Sequence, residues 1–241
     1  MTTFYEPKVA RALRRFGDPP PRYRVRPETS DWKAVREVWE RNAYLRHGVQ
    51  PEPGQVWVDG GACVGAFADL AARAGAVVIA YEPEPTNAAL AMGNLRRHDG
   101  RVAIRQAALV APALAGTATL HVNSAPLALR RHSVVKARRA STPLEVEAVD
   151  LEAALAVADG AKLNIEGAEI EALTTWTPPE RLTHLAVEWS FDVDPRIAVL
   201  DAACARLEAA GFTVHRSRKT DGLAAWPPNY FPPQLYLHAS R

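Results

Sequence analysis

The chain predicts an α/β fold: seven strands, mostly parallel, in one Rossmann-like sheet with helices on both faces and a short N-terminal extension. Three observations carry this. Short apolar, β-prone runs alternate with helical stretches along most of the 241 residues. The first run, Val56-Trp57-Val58, closes on Asp59 and breaks into glycines ahead of a helix start, giving VDGGACVGAF. The second run also ends on an acid, Glu82, followed by Pro83-Glu84-Pro85.

Taken in order, MTTFYEPKVARALRRF reads as a short basic amphipathic segment, and the proline- and arginine-rich stretch 17–27 cannot continue a helix. Residues 1–50 are therefore expected as an extension with a covering helix, and 51–241 as the main domain. Thr29, Ser30 or Asp31 caps a helix carrying Val35, Val38, Trp39 and Tyr44, and Pro51 and Pro53 end the approach to the first strand. Strands are expected at Val56–Asp59, Ala76–Glu82, Arg101–Gln106, Ala161–Ile165, Leu182–Glu188, Phe212–Arg216 and Leu235–His238. Helices fall at Val64–Arg73, Thr86–Arg97, Ile170–Thr175 and Pro195–Ala210, the last stopped by Gly211. Thr117–Val122 and Glu145–Val149 alternate like hairpin strands, with the basic stretch RRHSVVKARR between them.

Composition excludes some classes of function. With 29 Lys+Arg against 27 Asp+Glu the net charge is +2, so any basic patch must be local and nucleic acid is not an expected partner. Two cysteines make neither a disulfide framework nor a metal cluster. No apolar signal core and no run of roughly 18 apolar residues is present, so a cytoplasmic protein without a membrane partner is expected.

The glycine loop is where chemistry enters. Gly60, Gly61 and Gly65 allow close backbone approach, and the following helix start would offer unpaired N–H groups to a nucleotide-like ligand. The spacing Asp-x-Gly-x-x-x-Gly from Asp59 to Gly65 is not the Gly-x-Gly-x-x-Gly that cradles a pyrophosphate. That argues against NAD and for S-adenosyl-L-methionine. Glu82 would accept the ribose hydroxyl protons, and Asp59 would face the amino-acid part.

Four segments, VDGGACVGAF, AYEPEPTNAALAMGNL, VEAVDLEAAL and KLNIEGAEIEAL, occur in that order, with RPETSDWKAVREVWERNAY upstream. Together they resemble the FkbM family of S-adenosylmethionine-dependent class I methyltransferases over roughly Arg26 to Glu188. The resemblance implies that Asp59, Gly61, Gly65 and Glu82 hold the cofactor. It further implies that Ser30 and Tyr44 come over it and that Ala108 lies near the adenine. Cys63 stands where the family usually has asparagine, and a thiol is a poorer hydrogen-bond partner than an amide.

Transfer from a sulfonium is an in-line displacement that requires a positioned nucleophile and a path for its proton. Glu166, Glu188 and His132 are candidate bases. The family's usual Lys-x-Asp-x-Glu-Gly reads here Lys162-Leu163-Asn164-Ile165-Glu166-Gly167, and an amide at Asn164 can orient a substrate but not serve as a carboxylate base. Lys162 could pair with a neighbouring carboxylate, and Glu166 and Glu169 could equally be helix N-terminal acids. His121 reads as a surface histidine. No grouping has metal-ligand spacing, so metal-independent transfer is expected. Arg130 to Arg139 reads as a solvated connector, the alternative being a lid for an anionic acceptor. Trp189, Trp226, Tyr230 and Phe231 read as packing aromatics, the alternative being stacking on an acceptor. The expected activity is O-methylation of a hydroxyl on a small molecule, sugar or secondary metabolite. The alternatives are N-methylation of an amine or nucleobase, suggested by Asn164, and a cofactor-binding module without catalysis.

Overall fold

A computed structural model describes residues 2–19, 21–98, 100–124, 132–137, 141–218 and 234–241. Trp226, Tyr230 and Phe231, and the arginines 130, 131, 138 and 139, lie outside the described residues.

In chain order the elements are β1 (Thr3–Tyr5), β2 (Tyr23–Val25), α1 (Asp31–Trp39), β3 (Val56–Gly60), α2 (Ala66–Arg73), β4 (Val77–Tyr81), α3 (Pro85–Leu95) and β5 (Val102–Arg105). There follow β6 (Ala108–Val110), β7 (Gly116–Asn123), β8 (Ser141–Asp150), α4 (Leu151–Leu155), β9 (Gly160–Leu163), α5 (Ala168–Thr175), β10 (His184–Ser190), α6 (Ile197–Ala209), β11 (Thr213–Arg218) and β12 (Gln234–Ser240).

The main sheet has seven strands in the order β11-β12-β10-β9-β3-β4-β5. All neighbours from β10 to β5 pair in parallel, and β12 runs antiparallel to both β10 and β11. This is the mostly parallel α/β sheet expected. Its central strands β9 and β10 are mostly apolar and almost wholly buried, with Lys162 and Glu188 the buried charged residues among them. The chain leaves β3 in one direction to build β4 and β5 and in the other to build β9 and β10. The strand order therefore reverses beside β3, and a crevice opens at the carboxyl ends of β3 and β9.

Each strand of this sheet falls within two residues of its expected bounds, because short apolar runs between glycines and prolines have few alternatives. Four elements escaped the sequence: β1, β2, β6 and α4, all five residues or shorter. The hairpin strands β7 and β8 form, and β6 joins β8 in parallel to make a second, three-stranded sheet.

One helix is corrected. α1 ends at Trp39, and Tyr44 sits beyond it in a loop where Asn42 and His47 take positive φ, which breaks the helical period.

The N-terminal residues are packed into the body. Leu13, Tyr23 and Val25 are buried with Val35 and Trp39 of α1 and Leu70 of α2. Tyr23 donates its hydroxyl proton to Asp69 and accepts from the Trp39 Nε1 at 2.5 Å. Arg73, Arg97 and His98 converge on the same carboxylate. Burial alone would raise the Asp69 carboxyl, but His98, the two arginines and Tyr23 outweigh it and hold it below its ordinary value. Among the described residues no helix is long and apolar enough to cross a membrane.

Candidate functional site

The crevice beside β3 is a cavity of about 780 Å³, its open mouth included. The β3–α2 loop, the end of β4, the start of β6, the β9–α5 turn, α1 with Tyr44, and the segment 132–134 form its walls. Of the residues singled out in the sequence, Tyr44, Gly61, Cys63, Glu82, Ala108, His132, Lys162, Asn164 and Glu166 line it.

Of the residues expected at the cofactor or as catalytic groups, Ser30, Asp59, Gly65 and Glu188 do not line it. Asp59 is fully buried beneath the loop, where its Oδ2 accepts the Ala68 N–H at 3.1 Å and its Oδ1 meets the Lys162 Nζ at 3.0 Å. The expectation that it faces a ligand directly is therefore corrected. Ser30 precedes α1 with no side-chain cap, and its buried hydroxyl finds no partner.

The glycines are needed, but chiefly for the protein's own packing. A Cβ on Gly61, at φ +72, would lie 1.9 Å from the Asn164 carbonyl oxygen, so this residue lets the β3 loop touch the β9–α5 turn. Gly65, at φ +85, abuts the Leu95 side chain. Nor are three of the loop's N–H groups free. Those of Gly61 and Ala62 donate to the Tyr81 carbonyl at 2.9 and 3.0 Å, and that of Cys63 donates to Glu82 Oε2 at 2.8 Å. Sequence reasoning assigned them to a ligand because it could not see the β4 end lying beside them.

Glu82 is the anchor of this side. Its Oε1 accepts from the Glu84 N–H at 3.1 Å and more weakly from Asn87 Nδ2 at 3.4 Å. Burial pushes its carboxyl up to about 7 against the lowering effect of these hydrogen bonds, with neighbouring Glu84 adding to the rise.

Lys162 joins the two sides. Its ammonium donates to Asp59 Oδ1, to the Gly60 carbonyl at 2.9 Å and to the Gly61 carbonyl at 2.7 Å. Three protons meet three acceptors, so the group fixes the loop and has no lone pair for catalysis. Beyond it, Asn164 Nδ2 donates to Glu188 Oε2 at 2.7 Å and to the Tyr44 hydroxyl at 3.3 Å, while Tyr44 donates to the same Glu188 oxygen at 3.1 Å. Glu188 is fully buried behind this pair, so its expected place as a base in contact with substrate is corrected.

Glu166 is buried in the wall at φ +51, a region side-chain-bearing residues rarely adopt, and Gly167 follows at φ +110. Two successive left-handed residues turn the chain sharply from β9 into α5. Glu169 accepts from the Gly167 N–H at 2.8 Å and the Ser190 N–H at 3.0 Å, and burial raises its carboxyl to about 7. It is an internal strut at a helix start.

The connector is corrected where it is described. His132 and Ser133 are buried, and the Ser133 Oγ donates to the Glu166 carbonyl at 2.6 Å while accepting from the Val135 and Lys136 N–H groups at 3.1 Å. Lys136 donates to the Asp192 carbonyl. His121, half-buried on β7, exchanges backbone bonds with Ser133. His132 Nδ1 accepts the Asn123 N–H at 2.9 Å, which in the neutral ring places the proton on Nε2. Trp189 is fully buried in the core, so packing is its role.

Glu37 and Asn87 line the cavity without a role assigned from the sequence. Glu37 of α1 falls on the face shared by Ala34 and Val38, and this helical spacing was a signal that an acid lay on the buried stripe. Asn87 opens α3 and accepts from Arg26 at 2.5 Å, which in turn grips Asp31. Nothing in the pattern around Asn87 distinguishes it from an ordinary polar residue in a first turn. Among the described residues no group of three or more His, Cys, Asp or Glu is placed to hold a metal ion.

No family model matches the chain, and no curated protein matches it by sequence. Several solved structures are loosely similar to it over most of its length. The precorrin-6y C5,15-methyltransferase of Geobacter metallireducens GS-15 is 13% identical over 88% of this chain and 86% of its own, with a TM-score of 0.40. M. jannaschii TYW2, solved with AdoMet, is 11% identical over 90% and 80%, with a TM-score of 0.46. The ribosomal protein L11 methylase of Lactobacillus delbrueckii subsp. bulgaricus is 14% identical over 88% and 76%, with a TM-score of 0.39. At this distance the chemistry of the site is argued from its own residues.

Proposed function

We propose that the chain is an S-adenosylmethionine-dependent methyltransferase of the FkbM type, acting on a hydroxyl of a small-molecule acceptor. The observation that carries this is the charge of the cavity. Three acids, Glu37, Glu82 and Glu166, line it, no arginine does among the described residues, and its one lysine is committed to Asp59 and two carbonyls. A pyrophosphate would find no uncommitted cation there, and the Gly61, Ala62 and Cys63 N–H groups are already held by the β4 end, whereas a sulfonium with an ammonium group and a ribose fits this acidic set.

Glu82 would hold the ribose hydroxyls, and the apolar wall at Ala107, Ala108 and Leu109 would hold the adenine. Bound there, the cofactor supplies an electrophilic methyl group. The protein's part is to exclude water, hold the acceptor in line and receive its proton. His132 is engaged at Nδ1 by the Asn123 N–H and its Nε2 is buried, so it is set aside as the base. Of the acids that line the cavity, Glu166 at the β9–α5 turn would accept the hydroxyl proton. N-methylation is the second reading, favoured by the amide at Asn164, because a neutral amine needs no base before attack.

Isothermal titration should show S-adenosylmethionine binding that Glu82→Ala abolishes. Binding of NAD in its place would end the proposal. Mass spectrometry and NMR of a methylated product decide between oxygen and nitrogen.

A further inference from the structure

We propose that His238, on the last strand, is a positioning residue of the cofactor cavity: it tethers the segment after α1 that carries Tyr44 into the cavity wall. This rests on the S-adenosylmethionine reading above.

The segment needs an outside hold. Residues 40–49 form no helix or strand, and three of them, Asn42, His47 and Gly48, take positive φ. The Ala43 N–H donates to the Glu37 carbonyl at 3.0 Å, Asn42 Nδ2 to the Leu45 carbonyl and Arg46 Nε to the Asn42 carbonyl, both at 2.8 Å. Those bonds join the segment to α1 and to itself, not to the sheet. Tyr44 lines the cavity from here, so where the segment sits decides where that ring stands.

Its place on the sheet is set by β12. Leu235, Leu237 and Ala239 of this strand pack into the core, so Tyr236, His238 and Ser240 share the opposite face. Each of the three meets the segment. The Tyr236 ring stands edge-on to Tyr44 with centroids 5.4 Å apart, His238 Nε2 donates to the Ala43 carbonyl at 2.8 Å, and Ser240 Oγ donates to the His47 carbonyl at 3.3 Å. On the neighbouring β11, His215 pairs opposite His238, and its ring stacks on that of His47 at 4.3 Å.

Water competes with these contacts at the exposed His47 and His215, whereas His238 is fully buried and Ala43 nearly so. A carbonyl only accepts, so the neutral imidazole carries its proton on Nε2 and turns Nδ1 to the Ser217 Oγ at 3.4 Å. Burial lowers this ring to about 4, so it stays neutral and in one tautomer around pH 7. Without its N–H the Ala43 carbonyl, one residue from Tyr44, is left buried and unpaired, and the segment regains a partner only by lifting from β12. A protein whose binding-competent form is partly depopulated binds its ligand more weakly in proportion.

The test combines hydrogen exchange with calorimetric titration of S-adenosylmethionine, both on the full chain. His238→Leu removes the donor, and His238→Gln restores an N–H at the place of Nε2. Exchange at the Ala43 and Val49 amides should accelerate about 10-fold in His238→Leu, the scale of one buried acceptor left unpaired, and affinity should fall about 5-fold. His238→Gln should stay within about 2-fold of the wild type in both. In a Tyr44→Ala background, His238→Leu should cost less than about 2-fold in affinity, because the tether then has no ring to position. Should His238→Leu not fold, His238→Asn, an amide one carbon too short to reach Ala43, replaces it with the same expected losses. No loss in the donor-less variant, equal losses in it and His238→Gln, or a loss undiminished by Tyr44→Ala overturns the proposal. A wild type that does not bind S-adenosylmethionine overturns the methyltransferase reading itself, and the exchange arm still reads the tether.

Discussion

The two walls of the cavity are built on different length scales. On the β3–β4 side, Glu82 meets Cys63 across 19 residues and Glu84 across 2. On the β9–β10 side, Asn164 meets Tyr44 across 120 residues, and Tyr44 meets Glu188 across 144. Lys162 ties one wall to the other by reaching Asp59, 103 residues away. The first wall is a local motif and folds as one; the second exists only once the whole sheet is assembled. The difference predicts which substitutions break the molecule and which only retune it.

The largest effect falls at the tie. Lys162→Met would leave the Asp59 carboxylate buried without its cation and two carbonyls without their donor. Removing one partner of a buried pair costs about 3–5 kcal/mol, so thermal melting should drop by roughly 10 °C. Loss of the tie should also abolish S-adenosylmethionine binding in titration. A variant that melts like the wild type would show that the walls do not depend on each other.

Next comes the local wall. Glu82→Gln should reduce S-adenosylmethionine affinity by about 10- to 100-fold, the scale of hydrogen bonds to a charged group. Its effect on stability has the opposite sign. Burial holds the Glu82 carboxyl near 7, above its unfolded value of 4.5, so the folded state binds the extra proton between these values. The contribution to stability is complete below pH 4.5 and is lost as pH rises through 7. Urea midpoints of the wild type should therefore fall relative to Glu82→Gln across that window. Glu169 adds a slope of the same sign, while His238, lowered mainly by burial to about 4, adds the reverse. Subtracting the variant isolates Glu82. Ligand affinity should rise with pH through about 7, since the ionised form is the better acceptor for two hydroxyls.

The same contrast explains what the sequence made legible. The strands, the glycine turn and the acid after β4 are each signalled within a dozen residues, through apolar runs, missing side chains and prolines. The β9–β10 wall carries no such signal. Asn164 stands out only as a departure from a familiar pattern, and nothing near Glu188 says that it is sealed behind an amide from another strand. Tyr44 was placed in a helix because its spacing from Val35 and Val38 was read without the left-handed turns at Asn42 and His47. Ser133 was lost inside a charged run. Its burial follows from a bridge to β7 that composition cannot disclose.

A smaller effect is expected at that serine. Ser133→Ala removes the donor to the Glu166 carbonyl and the acceptor for two backbone N–H groups, a change of about 1–2 kcal/mol confined to the docked segment. Hydrogen exchange at Val135 and Lys136 should accelerate about 10-fold, with little change in global melting. Protection that persists would mean that other contacts hold this stretch over the cavity.

The smallest effect bears on the local wall's Cys63. Cys63 is half-buried at φ +52, a left-handed conformation that costs most residues energy but that asparagine adopts several-fold more often. Cys63→Asn should therefore raise the unfolding free energy in urea by about 0.5 kcal/mol, since the backbone is already shaped for it. It should tighten S-adenosylmethionine by up to about 3-fold if its amide finds a ligand atom as well. The two readouts separate the causes. A gain in stability alone means that asparagine suits the turn and touches nothing bound, so cysteine costs the loop only backbone energy. A gain in both means that an amide at this turn also reaches a bound atom, so the local wall has room for one more ligand contact than cysteine makes.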